Sequence, residues 1–351
     1  MTEPLRIAIV GAGVIGAVHA RLVSALAPGA ELVAVVDLDE SRGQALAAEY
    51  DVAYHRSAPE AYRAESVDLA AVCLPSAYHA DAVVEALENG VHVIVEKPID
   101  ITLAAADRIR AAERQHGRVV SVISQRRFQP VASFIRRSID EGALGRVTSG
   151  VVESAFFRPQ AYYESGDWRG TAAIDGGGAL MNQGIHALDL LLWMLGTPTS
   201  VSARTGRLAH DGIEVEDVAG AVIEFESGAI GLLLASTAAY PGLPVRLAVH
   251  GSAGTAVMEN DALSFFASAT VSAPAAESLV ESDVPPGWSD VDVAHRRQYE
   301  NVIDAIASGG SPAIGTDDGR LALQVVLAVY ESARTGQPVD LRQAAKSGAS
   351  R

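Results

Sequence analysis

The sequence predicts an α/β protein of two domains, on three observations. A glycine-rich turn stands between an apolar strand and a helix near the N-terminus, and strand and helix patterns then alternate to residue 125. Beyond residue 145, β-type segments dominate until two long helical patterns close the chain. Alternation of the first kind means a parallel sheet with helices on both faces. A run of strands followed by helices means a separate α+β layer.

The first element is "LRIAIVGAGVIGAVHARLVSAL". Ile7 to Val10 reads as a buried strand, and Ala17, Leu22 and Leu26 mark a helix. The turn between them carries Gly11, Gly13 and Gly16, with Val14 and Ile15 among them. "ELVAVVDLDE" follows as a second strand, ending at Asp37 and Leu38. A bare glycine pattern is weak, but a strand before it, a helix after it and an acid at the end of the next strand make a dinucleotide fingerprint. Gly11 permits the tight turn, Gly13 lets backbone approach a pyrophosphate, and Gly16 lets the helix pack close. The helix N-terminus offers free N–H groups to the phosphates. Asp37 accepts from the ribose hydroxyls and repels a 2′-phosphate, so NAD is expected over NADP. Arg42 either softens that preference or is simply solvated.

"VDLAAVCLP", "VHVIVEKP" and "VVSVIS" read as further buried strands, with helices at "AYHADAVVEALENG" and "TLAAADRIRAAERQHG". Ligands of such sheets lie off the carboxyl ends of the strands, where Leu74, Pro75, Ser76, Glu96, Lys97 and Gln125 fall. Lys97 has two readings: a surface lysine paired with Glu96, or an ammonium that holds an alcohol. The segment "GGGALMNQGIHALDLLLWMLG", Gly176 to Gly196, reads as an apolar helix. Asn182, His186 and Asp189 lie four and three residues apart, so on a helix they share one face. His186 is then either a hydrogen-bonded core histidine or part of a site.

Composition excludes several classes. With a formal net charge of −16, the chain is a poor partner for nucleic acid or an anionic membrane surface. No stretch is long and apolar enough to span a bilayer, and the N-terminus lacks the pattern of a secretion signal. One cysteine, Cys73, forms no internal disulfide and suits a reducing, cytoplasmic setting. No His or Cys spacing suggests a metal. Residues 343–351 read as a loose tail.

Together these segments resemble the Gfo/Idh/MocA group of glucose–fructose oxidoreductase, inositol dehydrogenase and rhizopine-catabolism proteins. The resemblance covers nearly the whole chain. It rests on the glycine turn, "LPSAYHADAVVEALENGVHVIVEKP" with Pro75 and His79 upstream of Glu-Lys-Pro, "QRRFQP", "DWRG", "GGGALMNQGIHALDLL" and "YESARTGQPVDL". It implies a Rossmann domain over 1–125, and over 126–342 an α+β domain built on a large open, mostly antiparallel sheet. The C-terminal helices pack back near the domain junction, and the open face of the sheet joins subunits into a homodimer or homotetramer. It implies an NAD-dependent dehydrogenase acting on a secondary alcohol of a cyclitol or sugar. A keto-sugar or nucleotide-sugar reductase and a non-catalytic NAD(P)-binding regulator are the alternatives.

The resemblance also assigns roles. Lys97 contacts the reacting hydroxyl and His186 is the general base. Asn182 stands where well-known members have Asp, so His186 works without that carboxylate. Gly11, Gly13, Val14, Ile15, Gly16, Asp37, Leu38, Leu74, Pro75, Ser76, His79, Glu96, Lys97 and Gln125 line the cofactor. Arg127, Trp168 and Arg169 join Asn182 and His186 on the substrate, or else serve packing and ion pairing. Asp189 orients the helix.

Overall fold

The computed structural model describes residues 3–275, 279–280 and 284–342. The tail expected at 343–351 lies outside the described residues. In chain order the elements are β1 (Leu5–Val10), α1 (Val14–Ser24), β2 (Ala30–Val36), α2 (Glu40–Glu49), β3 (Ala53–His55), α3 (Ala58–Ala64), β4 (Leu69–Val72), α4 (His79–Glu88), β5 (His92–Val95), α5 (Leu103–His116) and β6 (Val120–Val122). Then come α6 (Pro130–Asp140), β7 (Val147–Ala155), α7 (Gln160–Glu164), α8 (Ile185–Leu195), β8 (Pro198–Gly206), β9 (Val218–Phe225), β10 (Ile230–Ser236), β11 (Arg246–Gly251), β12 (Gly254–Glu259) and β13 (Ala262–Ser268). The last are α9 (Asp290–Ser308), α10 (Thr316–Thr335) and β14 (Val339–Asp340).

The chain divides into two compact units, 1–125 with 291–320, and 126–290 with 321–351. The span 126–342 expected as one domain is therefore interrupted, because α9 is fastened to the first unit. Gln298, fully buried, donates from Nε2 to Ser121 Oγ and Val122 O, and accepts the Ser124 N–H at Oε1. Ser121 Oγ in turn donates to Ile314 O. A buried amide that satisfies the end of β6 cannot be removed without orphaning those backbone groups.

The first unit holds a six-stranded sheet in the order β3-β2-β1-β4-β5-β6, with every pairing parallel. This is the doubly wound order, in which strand order, not strand direction, reverses between β1 and β4. Strands covered by helices on both faces read as continuous apolar runs, and Ile7, Ala8 and Ile9 in β1 are fully buried. The stretch 40–64 adds α2, β3 and α3, which the apolar pattern does not announce. The buried residues of α2 are only Gly43, Leu46 and Ala47, and β3 has three residues.

Two glycines shape the reversal point. Gly11 has φ +103°, and a Cβ there would lie 2.7 Å from Cys73 O on the neighbouring strand end. A Cβ on Gly16 would lie 1.9 Å from Gly11 O, so α1 sits on the turn itself.

The second unit holds an eight-stranded sheet in the order β13-β12-β11-β7-β10-β9-β8-β14. All its pairings are antiparallel except β7 with β10. The β9–β10 turn has Gly228 at φ +82°. One face is covered by α8, which approaches β7 and β10 closely because Gly150 and Gly231 stand opposite each other there. A Cβ on Gly150 would meet Leu191 and Leu195 at 2.8 Å. On the other face of β9 and β10, Val222, Ile230, Leu232 and Leu234 are exposed.

The helix expected from Gly176 to Gly196 is not uniform. Ala179–Gly184 is a π-helical turn that runs into α8. Asn182 therefore lies in the π segment and His186 in the α-helix, so the four-residue spacing spans a change of helical pitch. Such bulges recur at functional sites.

We expect Gly16→Ala to lower the denaturant midpoint at unchanged slope, a cost of about 1–3 kcal/mol from overpacking α1 on the turn. An unchanged midpoint would contradict the close packing.

Candidate functional site

In the first unit the glycine turn leads directly into α1. Gly13 is the helix N-cap and makes no side-chain cap, and a Cβ there would meet nothing within 4 Å. Uncapped N–H groups above open space suit an anion. Val14 and Leu38 are large apolar side chains left exposed at 81 % and 77 %, and Ile15 is half-buried between the glycines. Leu74 and Pro75 at the end of β4 are half-buried, while Ser76 is buried at the start of a short 3-10 turn. Gln125 at the end of β6 is buried, and its Oε1 has no hydrogen-bond partner. These residues fit a dinucleotide: a phosphate cradle, apolar shelves beside it, and a buried acceptor that a carboxamide would satisfy.

Asp37 is the ribose candidate, and its carboxylate is already well supplied. Oδ2 accepts from Ala12 N at 2.7 Å and Arg42 Nε at 3.3 Å, and Oδ1 from Asp39 N and Arg42 Nη2, both at 2.8 Å. Burial works against ionisation, but Arg42 and the two N–H groups outweigh it and hold the carboxyl below the usual range. Arg42 is thus paired, not merely solvated. A carboxylate has about four acceptor positions, so ribose hydroxyls gain Asp37 by displacing the exposed Arg42.

Two residues expected on the cofactor are turned inward. His79 is buried, with Nδ1 2.8 Å from Pro98 O and Nε2 2.8 Å from Leu74 O. Burial pushes its pKa down, although both carbonyls pull it up. It staples the β4 loop to the turn after β5.

Glu96, expected on the cofactor, is 6 % exposed, and Lys97 beside it is half-buried. Its Oε1 lies 3.0 Å from His19 Nε2, and its Oε2 accepts the Lys97 N–H at 3.1 Å. His19 Nδ1 lies 2.6 Å from the hydroxyl of Tyr299, a fully buried side chain of α9. Burial disfavours the Glu96 anion, but the His19 hydrogen bond and the charges of His19, Lys97 and His295 hold its pKa far below the usual range. An ionised carboxylate only accepts, so His19 donates to it from Nε2, while its Nδ1 is hydrogen-bonded to the Tyr299 hydroxyl. The chain Tyr299–His19–Glu96 therefore ends on the backbone of Lys97.

Sequence spacing gave no sign of this chain, because its members are far apart in the sequence. With His295 the group is a cluster of three side chains with metal-ligating atoms, all within 4.8 Å. The hydrogen bonds of His19 already account for its arrangement.

In the second unit the π segment is held by Glu216. Gly178 N donates to Glu216 Oε2, Ala179 N to the Glu216 backbone carbonyl and Leu180 N to Oε1, each at 2.9 Å. Tyr330 Oη donates to the same Oε1 at 3.0 Å. One buried residue thus caps three consecutive N–H groups at a helix start. Its burial pushes the carboxyl upward, and the N–H groups pull it back. Gly178 permits the approach, since a Cβ would stand 1.7 Å from Glu216 O.

Most of α8 is buried, but Asn182 and His186 are half-exposed. Asn182 Nδ2 donates to Asp175 Oδ1 at 2.7 Å, and Asp175 Oδ2 accepts the Gly170 N–H at 2.9 Å. A buried carboxylate thus lies directly behind the amide, seven residues upstream. The expectation concerned only the Asp absent at position 182, and that position alone carries no signal for Asp175. The amide donates to Asp175, which directs its carbonyl oxygen away from that carboxylate.

Arg127 grips Asp189 with Nε–Oδ2 at 2.8 Å and Nη2–Oδ1 at 2.6 Å, and stacks over Trp193. Both members are nearly buried. This is the ion-pairing reading of Arg127, with Nε and Nη2 both holding the helix. Asp189 orients α8, as its position on the buried side requires. Trp168 and Arg169 are half-buried, and Arg169 lies over the Trp168 and Tyr162 rings at 4.6 and 4.5 Å.

Acid should loosen the first unit. Burial pushes His295 down to about 4 from 6.5. A depressed histidine contributes stability that is present above its unfolded value and lost as pH falls toward the folded one. Glu96 acts with the same sign at lower pH. We expect the melting midpoint to fall between pH 6.5 and 4, with His295 contributing at most about 3 kcal/mol, and His295→Gln to make the slope shallower. An identical slope in that variant would contradict the assignment.

Comparison with known proteins comes to the same place. Residues 5–124 match the family model of the oxidoreductase family, NAD-binding Rossmann fold, and residues 133–257 that of the GFO/IDH/MocA C-terminal domain. The chain is 27 % identical to scyllo-inositol 2-dehydrogenase (NAD(+)) of Bacillus subtilis over 347 residues, covering 97 % of each chain. It is 28 % identical to inositol 2-dehydrogenase 1 of Saccharopolyspora erythraea over 362 residues, covering 97 % of this chain and 98 % of that one. The WlbA dehydrogenase of Bordetella pertussis, solved with NADH and UDP-GlcNAcA, superposes with a TM-score of 0.85 at 28 % identity, covering 97 % and 99 % of the two chains. No described helix is long and apolar enough to cross a membrane.

Proposed function

We propose, from the premise that this chain belongs to the Gfo/Idh/MocA family of NAD-binding oxidoreductases, that it oxidises a secondary alcohol of a cyclitol or sugar. NAD, when bound, supplies the nicotinamide C4 that accepts the hydride. Gly11, Gly13 and Gly16 shape its phosphate cradle, Asp37 receives its ribose hydroxyls, and Gln125 Oε1 accepts from its carboxamide. The relatives named above supply the substrate class.

The observation that carries the reading is that Asn182 and His186 are half-exposed polar side chains in a segment that is mostly buried. Burying the rest of the helix fixes these two groups, as a reaction that depends on orientation requires. His186 takes the hydroxyl proton as hydride leaves the same carbon. Imidazole suits that step because it titrates near neutral pH. In the reverse direction the same imidazole returns the proton. Lys97 holds the hydroxyl oxygen and favours developing negative charge on it. Asn182, its NH₂ committed to Asp175, presents its carbonyl oxygen as an acceptor for a substrate hydroxyl.

His186→Ala should lower kcat by about 10²- to 10⁴-fold with the NAD dissociation constant unchanged by calorimetry. Full turnover in that variant would remove the base assignment. Asp37→Ala should narrow the preference for NAD over NADP in the same titration. A preference that stays as wide would take Asp37 off the ribose.

We also read the protein as a homo-oligomer. The support is the exposed row Val222, Leu232 and Leu234 on the open sheet face, with Leu232 directly opposite Val222. Contiguous exposed apolar surface on a sheet marks an interface. Leu232→Glu should shift the mass measured by light scattering toward the monomer. An unaltered oligomer would place the interface elsewhere.

A further inference from the structure

We propose that the oxidised sugar carries an anionic group, a carboxylate or a phosphate, and that Arg158 and Arg169 receive it. The inference rests on the dehydrogenase reading above and narrows its substrate class.

Arg158 and Arg169 both stack on Tyr162, with guanidinium carbons 5.1 and 4.5 Å from the ring centroid. Arg158 also lies 5.5 Å from the Phe156 ring, and Arg169 4.6 Å from that of Trp168. Two cations are thus interleaved with three aromatic rings. Both arginines are half-buried, and the Nε of each is buried without a hydrogen-bond partner.

Neither has a carboxylate within ion-pair distance among the described residues. This is notable in a chain with 43 acidic and 27 basic residues. Other half-buried arginines find their acids: Arg127 has Asp189 and Arg320 has Asp107. Bringing two like charges to one ring without an acid costs Coulomb energy. An anion from outside the chain removes that cost.

The pair is tied to the proposed reacting segment from two directions. Arg158 Nη2 donates to Gln183 Oε1 at 3.1 Å, next to Asn182. Gly170, next to Arg169, donates to Asp175, which in turn holds the Asn182 amide. Guanidinium forks match the geometry of carboxylate and phosphate oxygens. Stacking on aromatic faces holds those forks in place before the ligand arrives. A sugar whose hydroxyl faces Asn182 and His186 would then direct an acidic substituent toward these cations.

The test uses the full chain loaded with NADH, titrated calorimetrically with glucuronate, glucose 6-phosphate and glucose. The same three sugars are assayed for turnover with NAD. At least one anionic sugar should bind about tenfold or more tightly than glucose, and the better of the two identifies carboxylate or phosphate. Arg158→Gln and Arg169→Gln should each erase most of that preference while NADH affinity holds. If either variant unfolds, the Arg→Lys form is read instead: it keeps the charge, loses the fork and should lower the preference partway. Equal or absent binding of all three sugars overturns the proposal, as does a preference that survives both substitutions. Glucose turnover without an anion preference overturns this inference alone. An anion preference without turnover keeps the anion site at Arg158 and Arg169 and overturns the claim that the anionic sugar is the one oxidised.

Discussion

A carboxylate taken out of water has to be surrounded by donors, and whatever donates to it is fixed in place. Each unit of this protein applies that constraint to the segment its proposed chemistry uses. In the first unit Glu96 is buried between His19 and the Lys97 N–H, with Tyr299 closing the chain. In the second unit Glu216 receives Gly178, Leu180 and Tyr330, and Asp175 receives Gly170 and Asn182. The positions of Lys97 and Asn182 follow from acids that never need to meet the substrate themselves. Removing one donor would leave a buried anion short of partners, which costs more than the lost hydrogen bond.

Close backbone approach is the second device, and it serves the same end. Gly16 brings α1 onto the phosphate turn, and Gly178 brings the π segment onto Glu216. Gly150 and Gly231 let Leu191 and Leu195 sink α8 onto the sheet. With α8 buried on that side, its polar residues are left with few directions. Asp189 is claimed by Arg127, while Asn182 and His186 keep partial exposure.

The parallel sheet was legible because a βαβ unit writes itself locally: strand, glycine turn, helix, strand and acid all lie within forty residues of the start. Asn182 and His186 were legible as polar residues four apart in an apolar stretch, but the change from π- to α-helix between them was not. What stayed hidden is everything that depends on distant partners. Asp37 was readable as an acid at a strand end, but not as one already gripped by Arg42. Glu96 and His79 were read from motif position, which says nothing of which way a side chain turns. His19, Tyr299, Asp175 and Glu216 carry no sign in the sequence of the partners that folding brings to them. The helix at 290–308 was assigned to the second domain, whereas Gln298 and Tyr299 attach it to the first unit.

The central claim is that buried carboxylates fix these segments. Native-state hydrogen exchange resolved at individual amides tests it directly. The Lys97, Gly178 and Leu180 amides should exchange only through global unfolding, although they border segments that meet solvent. Exchange of these three amides at the rate of exposed loops would contradict the account.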